Sequence, residues 1–286
     1  MYSVFGDESA DETKSRVFAV AGVFGGEPEW IRLKGAWLER TGGKIFHAAD
    51  CETNQGEFVN TSNSENKALY KDLTILLCGS HLLGRGHAIE LCGVREFFQH
   101  SPAELPYCMC FRNVVHQCGN LALLSIPQEK VEFTFDQRAE TNYNAGVLYD
   151  YMAKVSEWNA SPYLHDKINF ASRKYVGIQV ADLLARETMK HLDNIIGPVK
   201  RDTRRSMKAL NATGRFRFTF WNREWFEGLH RNFQQVASRF GVDLNEYPKW
   251  LLENGLVDNL SNRHQHMRET FPPETGEHPF GDKFKP

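Results

Sequence analysis

The order of strand-like and helix-like apolar patterns is the feature that most constrains how this chain can fold. Residues 2–7 and 16–24 are strand-like runs separated by a polar turn, which predicts an antiparallel hairpin. Residues 129–135 alternate as a strand does and precede a helical pattern, and residues 167–170 precede another. Such alternation is typical of an α/β sheet with helices packed on its faces.

Other segments complete a prediction of one α/β domain at residues 1–195. The patterns predict helices at residues 28–40, 62–77, 105–124, 143–155 and 176–192, and further strands at 44–47 and 81–91. Residues 196–257 are basic and aromatic, and we expect a C-terminal subdomain packed on the first domain. Residues 258–286 are polar and contain four prolines, which predicts a tail along the surface.

Composition excludes few classes of protein. The net charge is −2 and the pI about 6.6, so no overall positive field indicates a nucleic-acid partner, although a local groove could still bind one. No stretch approaches the roughly 18 apolar residues of a membrane span, and no signal segment precedes the first strand. We therefore expect a cytoplasmic protein without a membrane partner.

The six cysteines, all in the first half, raise the possibility of a zinc site. Cys108, Cys110, His116 and Cys118 are close in sequence, but they lack the paired spacings of structural zinc sites. Cys110 and Cys118 also share one face of the predicted helix with Val114. This spacing favours core packing of reduced thiols over a zinc-dependent hydrolase.

Three aspartates are the strongest candidates for chemistry. Two predicted strands end on Asp7 and Asp136, although aspartate is also common at turns and helix caps. Asp182 is the only charge in the first turns of an apolar helix, where a carboxylate needs a cation or hydrogen-bond donors. If folding brings the three together, they would repel one another unless a divalent cation neutralised them. All-oxygen ligands suit Mg²⁺ or Mn²⁺ rather than zinc.

Three motifs occur in a fixed order along the chain: residues 5–9 are FGDES, residues 45–50 are IFHAAD, and residues 172–185 are SRKYVGIQVADLLA. Together they resemble the domain-of-unknown-function-3800 family, which is similar to a branch of the ribonuclease-H-like superfamily. The resemblance spans residues 1–195. It implies a ribonuclease-H-like mixed central sheet, here with a C-terminal extension, and a metal site for nucleic-acid phosphodiester cleavage or transfer at Asp7, Asp136 and Asp182.

The same motifs contain two further catalytic candidates, Glu8 and His47. Glu8 should point to the sheet face opposite Asp7, so a direct role requires a bend in the strand. His47 could act as an acid or base or could simply hydrogen-bond within the fold. The chain departs from the family at Ala10, where glycine is common. It also lacks an obvious helix-borne fourth carboxylate, for which Asp50 and Glu52 are the nearest substitutes.

Basic residues outside the acidic positions are candidates for binding nucleic acid. We assign this role to Lys174 and Gln179 of the third motif and to Arg204 and Arg205 in the basic run at residues 200–208. Residues 215–221 then alternate basic and aromatic side chains. That pattern fits base stacking, but its period of two favours a strand with phenylalanines facing the core and arginines facing water, and both can hold together.

The sequence thus predicts a metal-dependent nuclease that cleaves DNA or RNA. By family analogy alone, it could be an effector in bacterial defence with a protein partner in a defence complex. The alternative is a non-catalytic adaptor that binds nucleic acid or protein. The presence of Asp7, Asp136 and Asp182 together favours the enzyme.

Overall fold

The computed structural model describes residues 1–98, 103–125, 129–137, 142–154, 158–239 and 241. The strands are β1 (Tyr2–Ala10), β2 (Val17–Gly26), β3 (Leu83–Glu90), β4 (Val131–Asp136), β5 (Asn169–Ala171) and β6 (Phe216–Trp221). The α-helices are α1 (Glu27–Thr41), α2 (Ala48–Thr53), α3 (Asn63–Gly79), α4 (Leu91–Phe97), α5 (Leu105–Ser125), α6 (Asn142–Lys154), α7 (Val176–Ile196), α8 (Arg205–Ala212) and α9 (Arg223–Arg239). Short 3₁₀ helices lie at Gly56–Phe58 and Ser161–Tyr163.

The strands form one mixed sheet in the order β5-β4-β1-β2-β3-β6. The strands β1, β2 and β3 are antiparallel neighbours, whereas β4 pairs parallel to β1, β5 parallel to β4, and β6 parallel to β3. The predicted hairpin of β1 and β2 is therefore present. The parallel pairings bring the carboxyl ends of β1, β4 and β5 to the same edge of the sheet.

Helices cover both faces of this sheet, and each face has its own core. Val4 and Val20 pack on one face with Phe111 and Val114 of α5. Val23 of β2 packs on the other face with Val180 of α7 and with residues of α1 and α3. The α/β fold predicted from the sequence, a mixed central sheet with helices on both faces, is confirmed.

The contact between α7 and β1 is close because α7 has a glycine where it crosses the strand. A Cβ added at Gly177 would lie 2.3 Å from the nearest ring atom of Phe5. A side chain there would force the helix away from the sheet, and with it Asp182 one and a half turns later.

Gly177→Ala should therefore destabilise the protein by about 1–3 kcal/mol, the usual cost of overpacking, even though alanine favours helix. Gly35→Ala in α1 is the matched control, since no atom lies within 4 Å of its added Cβ. That change should be neutral or should stabilise by up to about 1 kcal/mol. Urea denaturation followed by circular dichroism measures both, and equal effects would contradict the close contact.

Two sequence predictions about strands have different outcomes. Residues 44–47 do not form a strand, because the N–H groups of Ile45 and Phe46 donate to the side chains of Glu57 and Gln179 instead of to a neighbouring strand. Residues 216–221 do form a strand. Phe216 and Phe218 pack in the core on the α7 face, and Arg217 is exposed.

The described part of the predicted C-terminal subdomain supplies α8, β6 and α9, and β6 extends the central sheet at the β3 edge. The predicted tail at residues 258–286 lies outside the described residues. Among the helices that the structure describes, none is both long and apolar enough to cross a membrane.

Candidate active site

Asp7 and Asp136 occupy neighbouring positions at the edge of the sheet. The parallel ladder between β1 and β4 ends at the pair Gly6 and Phe135, and each aspartate is the next residue on its strand. Asp7 shares the α7 face with Phe5, two residues earlier, because side chains alternate along a strand. Both carboxylates are buried. The parallel register that sequence alone could not fix therefore brings these two predicted site residues together.

Asp182 is buried and turned into the protein. One carboxylate oxygen, Oδ2, accepts a hydrogen bond from the N–H of Ala48 at 2.6 Å. The other, Oδ1, lies 3.9 Å from Nε2 of His47. Burial raises the pKa of Asp182 above its ordinary value, although His47, the Ala48 N–H, Arg173 and Arg186 oppose this rise. Its ionised form therefore has less stabilisation than a carboxylate has in water.

His47 lies between two acidic side chains at the start of α2. Its Nδ1 is 3.0 Å from Oδ2 of Asp50, while Nε2 faces Asp182. Nδ1 makes no hydrogen bond with a described residue, so Asp50 lies near the imidazole without fixing its orientation. Both roles predicted for His47, as an acid or base and as a hydrogen-bonding group within the fold, stay predictions, as does Asp50 as a fourth carboxylate.

A cavity of about 500 Å³, which we call the carboxylate cavity, opens at the carboxyl end of β1. Glu8, His47 and Asp182 are among the acidic and histidine side chains that line it. The cationic side chains in its lining are Lys14, Arg173 and Arg186, and the apolar wall includes Phe18, Leu91 and Tyr107. Glu8 reaches this cavity although the ladder between β1 and β2 is continuous to Ala10. The bend anticipated as a requirement for Glu8 is therefore not present.

Two arginines that sequence reasoning missed pair with the acids of this region. The Nε of Arg173 lies 3.4 Å from Oδ2 of Asp136, and Arg186 pairs with Glu52 at 2.9 Å. Arg186 is four residues after Asp182, so their shared helix face was visible in the sequence. Arg173 carries no such signal, because its contact with Asp136 depends on the pairing of β4 with β5.

The side chains suit a hard cation in type but are not arranged as a metal centre. Buried aspartate oxygens are the donors that Mg²⁺ and Mn²⁺ take. Yet among the described residues no three or more histidine, cysteine, aspartate or glutamate side chains form a group that could hold a metal ion. Arg173 instead accompanies Asp136, and Ala48 and His47 accompany Asp182.

The four residues assigned to nucleic-acid binding lie in different places. Gln179 is buried, and its amide oxygen accepts from Trp37 and from the backbone of Phe46, so it ties α7 to the segment before α2. Lys174 is exposed just before α7. Arg204 and Arg205 line a second cavity, beside α3, and not the carboxylate cavity.

The cysteines pack as the helical spacing predicts. Cys110 and Cys118 are fully buried in the core on the α5 face, and all six cysteines have free thiols. Burial raises the pKa of Cys118 to about 12, which disfavours the thiolate form that zinc binds.

Comparison with solved structures finds ribonucleases H. Bst-RNase HIII in complex with Mn²⁺ has a TM-score of 0.41 and 11% sequence identity, with 79% of this chain and 65% of that chain covered. A glutamine-to-alanine mutant of Bst-RNase HIII has the same TM-score and identity, with 64% of that chain covered, so this chain spans just under two thirds of the RNase HIII chains. RNase HII from Archaeoglobus fulgidus, solved in a complex with PCNA, has a TM-score of 0.36 and 12% identity, with 75% and 91% covered.

These similarities concern the fold, and no inference about chemistry follows from them. No protein-family profile matches the chain. No curated protein matches it either.

Proposed function

We propose that this protein is a divalent-metal-dependent nuclease that cleaves nucleic-acid phosphodiester bonds at the carboxylate cavity. The observation that supports this most is the placement of two buried aspartates side by side at one sheet edge, with a third buried aspartate on the helix that crosses β1. Asp7 and Asp136 are neighbours across β1 and β4, and Asp182 faces inward from the helix that crosses β1. Burial of ionised carboxylates is unfavourable unless positive charge or hydrogen-bond donors neutralise them.

Asp7, Asp136 and Asp182 would hold Mg²⁺ or Mn²⁺. Such an ion, when bound, stabilises negative charge on phosphodiester oxygens and lowers the pKa of water. The raised pKa of Asp182 agrees with this assignment, because an ionised carboxylate there needs more positive charge than the protein supplies.

The chain's own residues would bind and orient the substrate. Arg173, Arg186 and Lys14 line the cavity and suit phosphate groups, since arginine pairs with phosphate through two parallel hydrogen bonds. Tyr107 and Phe18 offer an apolar wall for a base. His47 would hold or release a proton at Nε2, which lies 3.9 Å from Oδ1 of Asp182.

The adaptor is the second candidate function, and one observation favours it. The acids already have protein partners, as the ion pair of Arg173 with Asp136 shows, and the described residues contain no formed metal group. In this case the fold would bind nucleic acid or protein without cleaving it. The defence role and the protein partner rest on the family resemblance alone.

The two candidates are separated by incubating the purified protein with single- and double-stranded DNA and RNA in Mg²⁺, Mn²⁺ or EDTA. We expect cleavage of at least one substrate in metal and none in EDTA. Asp136→Asn should reduce cleavage by at least about 100-fold, since it removes a ligand from the ion. Asp166→Asn, at a carboxylate that is 79% exposed, is the matched control and should leave the rate unchanged.

Thermal unfolding in Mn²⁺ gives a readout that does not need the right substrate. An ion that binds only the folded state stabilises it by about 2.7 kcal/mol at 100 times its dissociation constant. The melting temperature of the wild type and of Asp166→Asn should rise, and that of Asp136→Asn should rise less. Cleavage that survives Asp136→Asn would refute the nuclease site. Binding of nucleic acid with no cleavage, and with no rise in melting temperature in Mn²⁺, would support the adaptor.

A further inference from the structure

A second cavity, of about 720 Å³, lies between helices α3 and α8, and we call it the α3–α8 cavity. It is larger than the carboxylate cavity. This volume lies within the range of pockets that hold small organic ligands. Four cations line it: Lys67 and Lys71 from α3, with Arg204 and Arg205 at the start of α8. The two lysines lie one turn apart on α3, and the two arginines lie at the start of α8, so all four side chains line the same cavity.

The positive charge of this cavity is poorly neutralised by the protein. Glu52 is the only acidic residue among its lining side chains, and it already pairs with Arg204 and with Arg186. The ion pairs between described residues leave Lys67, Lys71 and Arg205 without a carboxylate partner. Like charges around one cavity repel one another, and an anionic ligand would relieve that repulsion.

The rest of the lining suits a planar or apolar body joined to the anion. The guanidinium of Arg204 lies over the ring of Tyr70, 5.2 Å from its centroid, and ion pairs with Glu52 and Glu187 hold it there. A fixed guanidinium plane can stack on a nucleobase. Ile75 lines the cavity with 54% of its surface exposed, so it offers an apolar contact to a ligand.

We propose that the α3–α8 cavity binds a nucleoside monophosphate unit, with its phosphate on Lys67, Lys71 and Arg205 and its base against Arg204 and Ile75. The unit can come from a free mononucleotide or from one residue of a single strand. A single strand is a possible source because the two cavities are adjacent: Glu52 pairs both with Arg204 of this cavity and with Arg186 of the carboxylate cavity. Binding here does not depend on cleavage, and it goes beyond the proposed nuclease function.

Isothermal titration of the full-length protein in EDTA tests the site with three probes: AMP, adenosine and inorganic phosphate. We expect AMP to bind at least about tenfold more tightly than either fragment, because only AMP uses both the cations and the apolar wall. The double variant Lys71→Gln, Arg205→Gln should weaken AMP binding about tenfold. Both residues are exposed, so folding should be preserved, as circular dichroism can verify.

The matched control is Lys34→Gln, Lys208→Gln, which removes the same two charges from exposed positions that do not line the cavity. This control should bind AMP as the wild type does. A titration in which adenosine binds as tightly as AMP, in which AMP fails to bind at millimolar concentration, or in which both double variants bind AMP equally would overturn the proposal.

A competition experiment distinguishes the two sources of the ligand. The fluorescent analogue 2-aminopurine riboside monophosphate is bound in EDTA and challenged with a ten-nucleotide single-stranded DNA. Displacement by the oligonucleotide at lower concentration than by AMP would assign the site to a unit of a strand. Displacement by AMP alone would assign it to a free mononucleotide.

Discussion

Arg204→Met is expected to destabilise the protein by about 3–5 kcal/mol, the cost of leaving a buried carboxylate without its cation. Glu187 on α7 is fully buried, and Arg204 lies 3.2 Å from its Oε1. The same carboxylate accepts hydrogen bonds from Tyr70 and Ser206, at 2.7 and 2.6 Å, but neither donor carries a charge. Methionine fills a similar volume, so the effect should come from lost charge more than from a cavity.

The pKa of Arg204 agrees with this view of the cluster. Burial alone would lower the pKa of its guanidinium, but Tyr70, Glu187 and Glu52 outweigh burial and raise it. The charged form of Arg204 is therefore stabilised by the same neighbours that its removal would leave uncompensated. Urea unfolding midpoints, compared at equal m-values, measure the loss.

Two further variants show whether charge is the cause. Arg204→Met, Glu187→Gln should be more stable than Arg204→Met alone, because the amide keeps hydrogen-bonding capacity without a buried charge. Arg40→Met is the control, since its ion pair with Asp72 is about 40% exposed on both sides and should contribute at most about 1 kcal/mol. If Arg40→Met and Arg204→Met cost the same, the buried cluster has no special role.

Local patterns were sufficient to predict the elements that carry the site. The strands that carry Asp7 and Asp136 could be recognised from their apolar residues, and Asp182 was visible as a charge on an apolar helix. Each of these signals lies within about ten residues. The predicted end of the first strand at Asp7 was wrong, because β1 continues in its pairing with β2 to Ala10. The buried position of Asp182 follows from the apolar residues around it, so its inward orientation was predictable.

Contacts between distant segments could not be predicted in the same way. The pairing of Arg173 with Asp136, like the contact of His47 with Asp182, depends on how β4, β5 and α7 are placed relative to one another. Residues 44–47 resemble a strand in their apolar content, but they do not pair with a strand of the sheet. The backbone N–H of Phe46 instead donates a hydrogen bond to the side-chain oxygen of Gln179. Sequence patterns record the preference of a segment and not the partner that the topology gives it.

Asp182→Asn is expected to stabilise the protein in EDTA at pH 7 while it abolishes metal-dependent cleavage. Burial raises the pKa of Asp182, so the folded state binds a proton more tightly than the unfolded state does. Ionisation of Asp182 therefore costs no stability below its pKa in the unfolded state, near 3.8. The free energy of unfolding falls as the pH rises from there toward the higher pKa of the folded state. Each pKa unit of the shift corresponds to about 1.4 kcal/mol.

Asparagine removes this penalty and keeps an oxygen that can accept the N–H of Ala48. The stability difference between Asp182→Asn and wild type should thus be small near pH 3.5 and grow to a plateau at neutral pH, with the variant the more stable protein. Saturating Mn²⁺ should stabilise the wild type more than the variant and so reduce the difference. An Asp182→Asn protein that is less stable than wild type at pH 7 in EDTA would mean that His47 and the arginines outweigh burial.

Asp11 provides a control of opposite sign in the same cavity wall. Burial opposes its ionisation, but hydrogen bonds from Thr13 and from the N–H groups of Val17 and Arg16 outweigh burial and lower the pKa of Asp11. Its contribution to stability is present above the ordinary pKa of 3.8 and is lost as the pH falls through the lowered value. Asp11→Asn should therefore destabilise at pH 7, by about 1–3 kcal/mol, and the loss should shrink in acid. Opposite pH slopes for these two aspartate variants would show that Asp182 is held in an unfavourable ionised state that a bound cation can relieve.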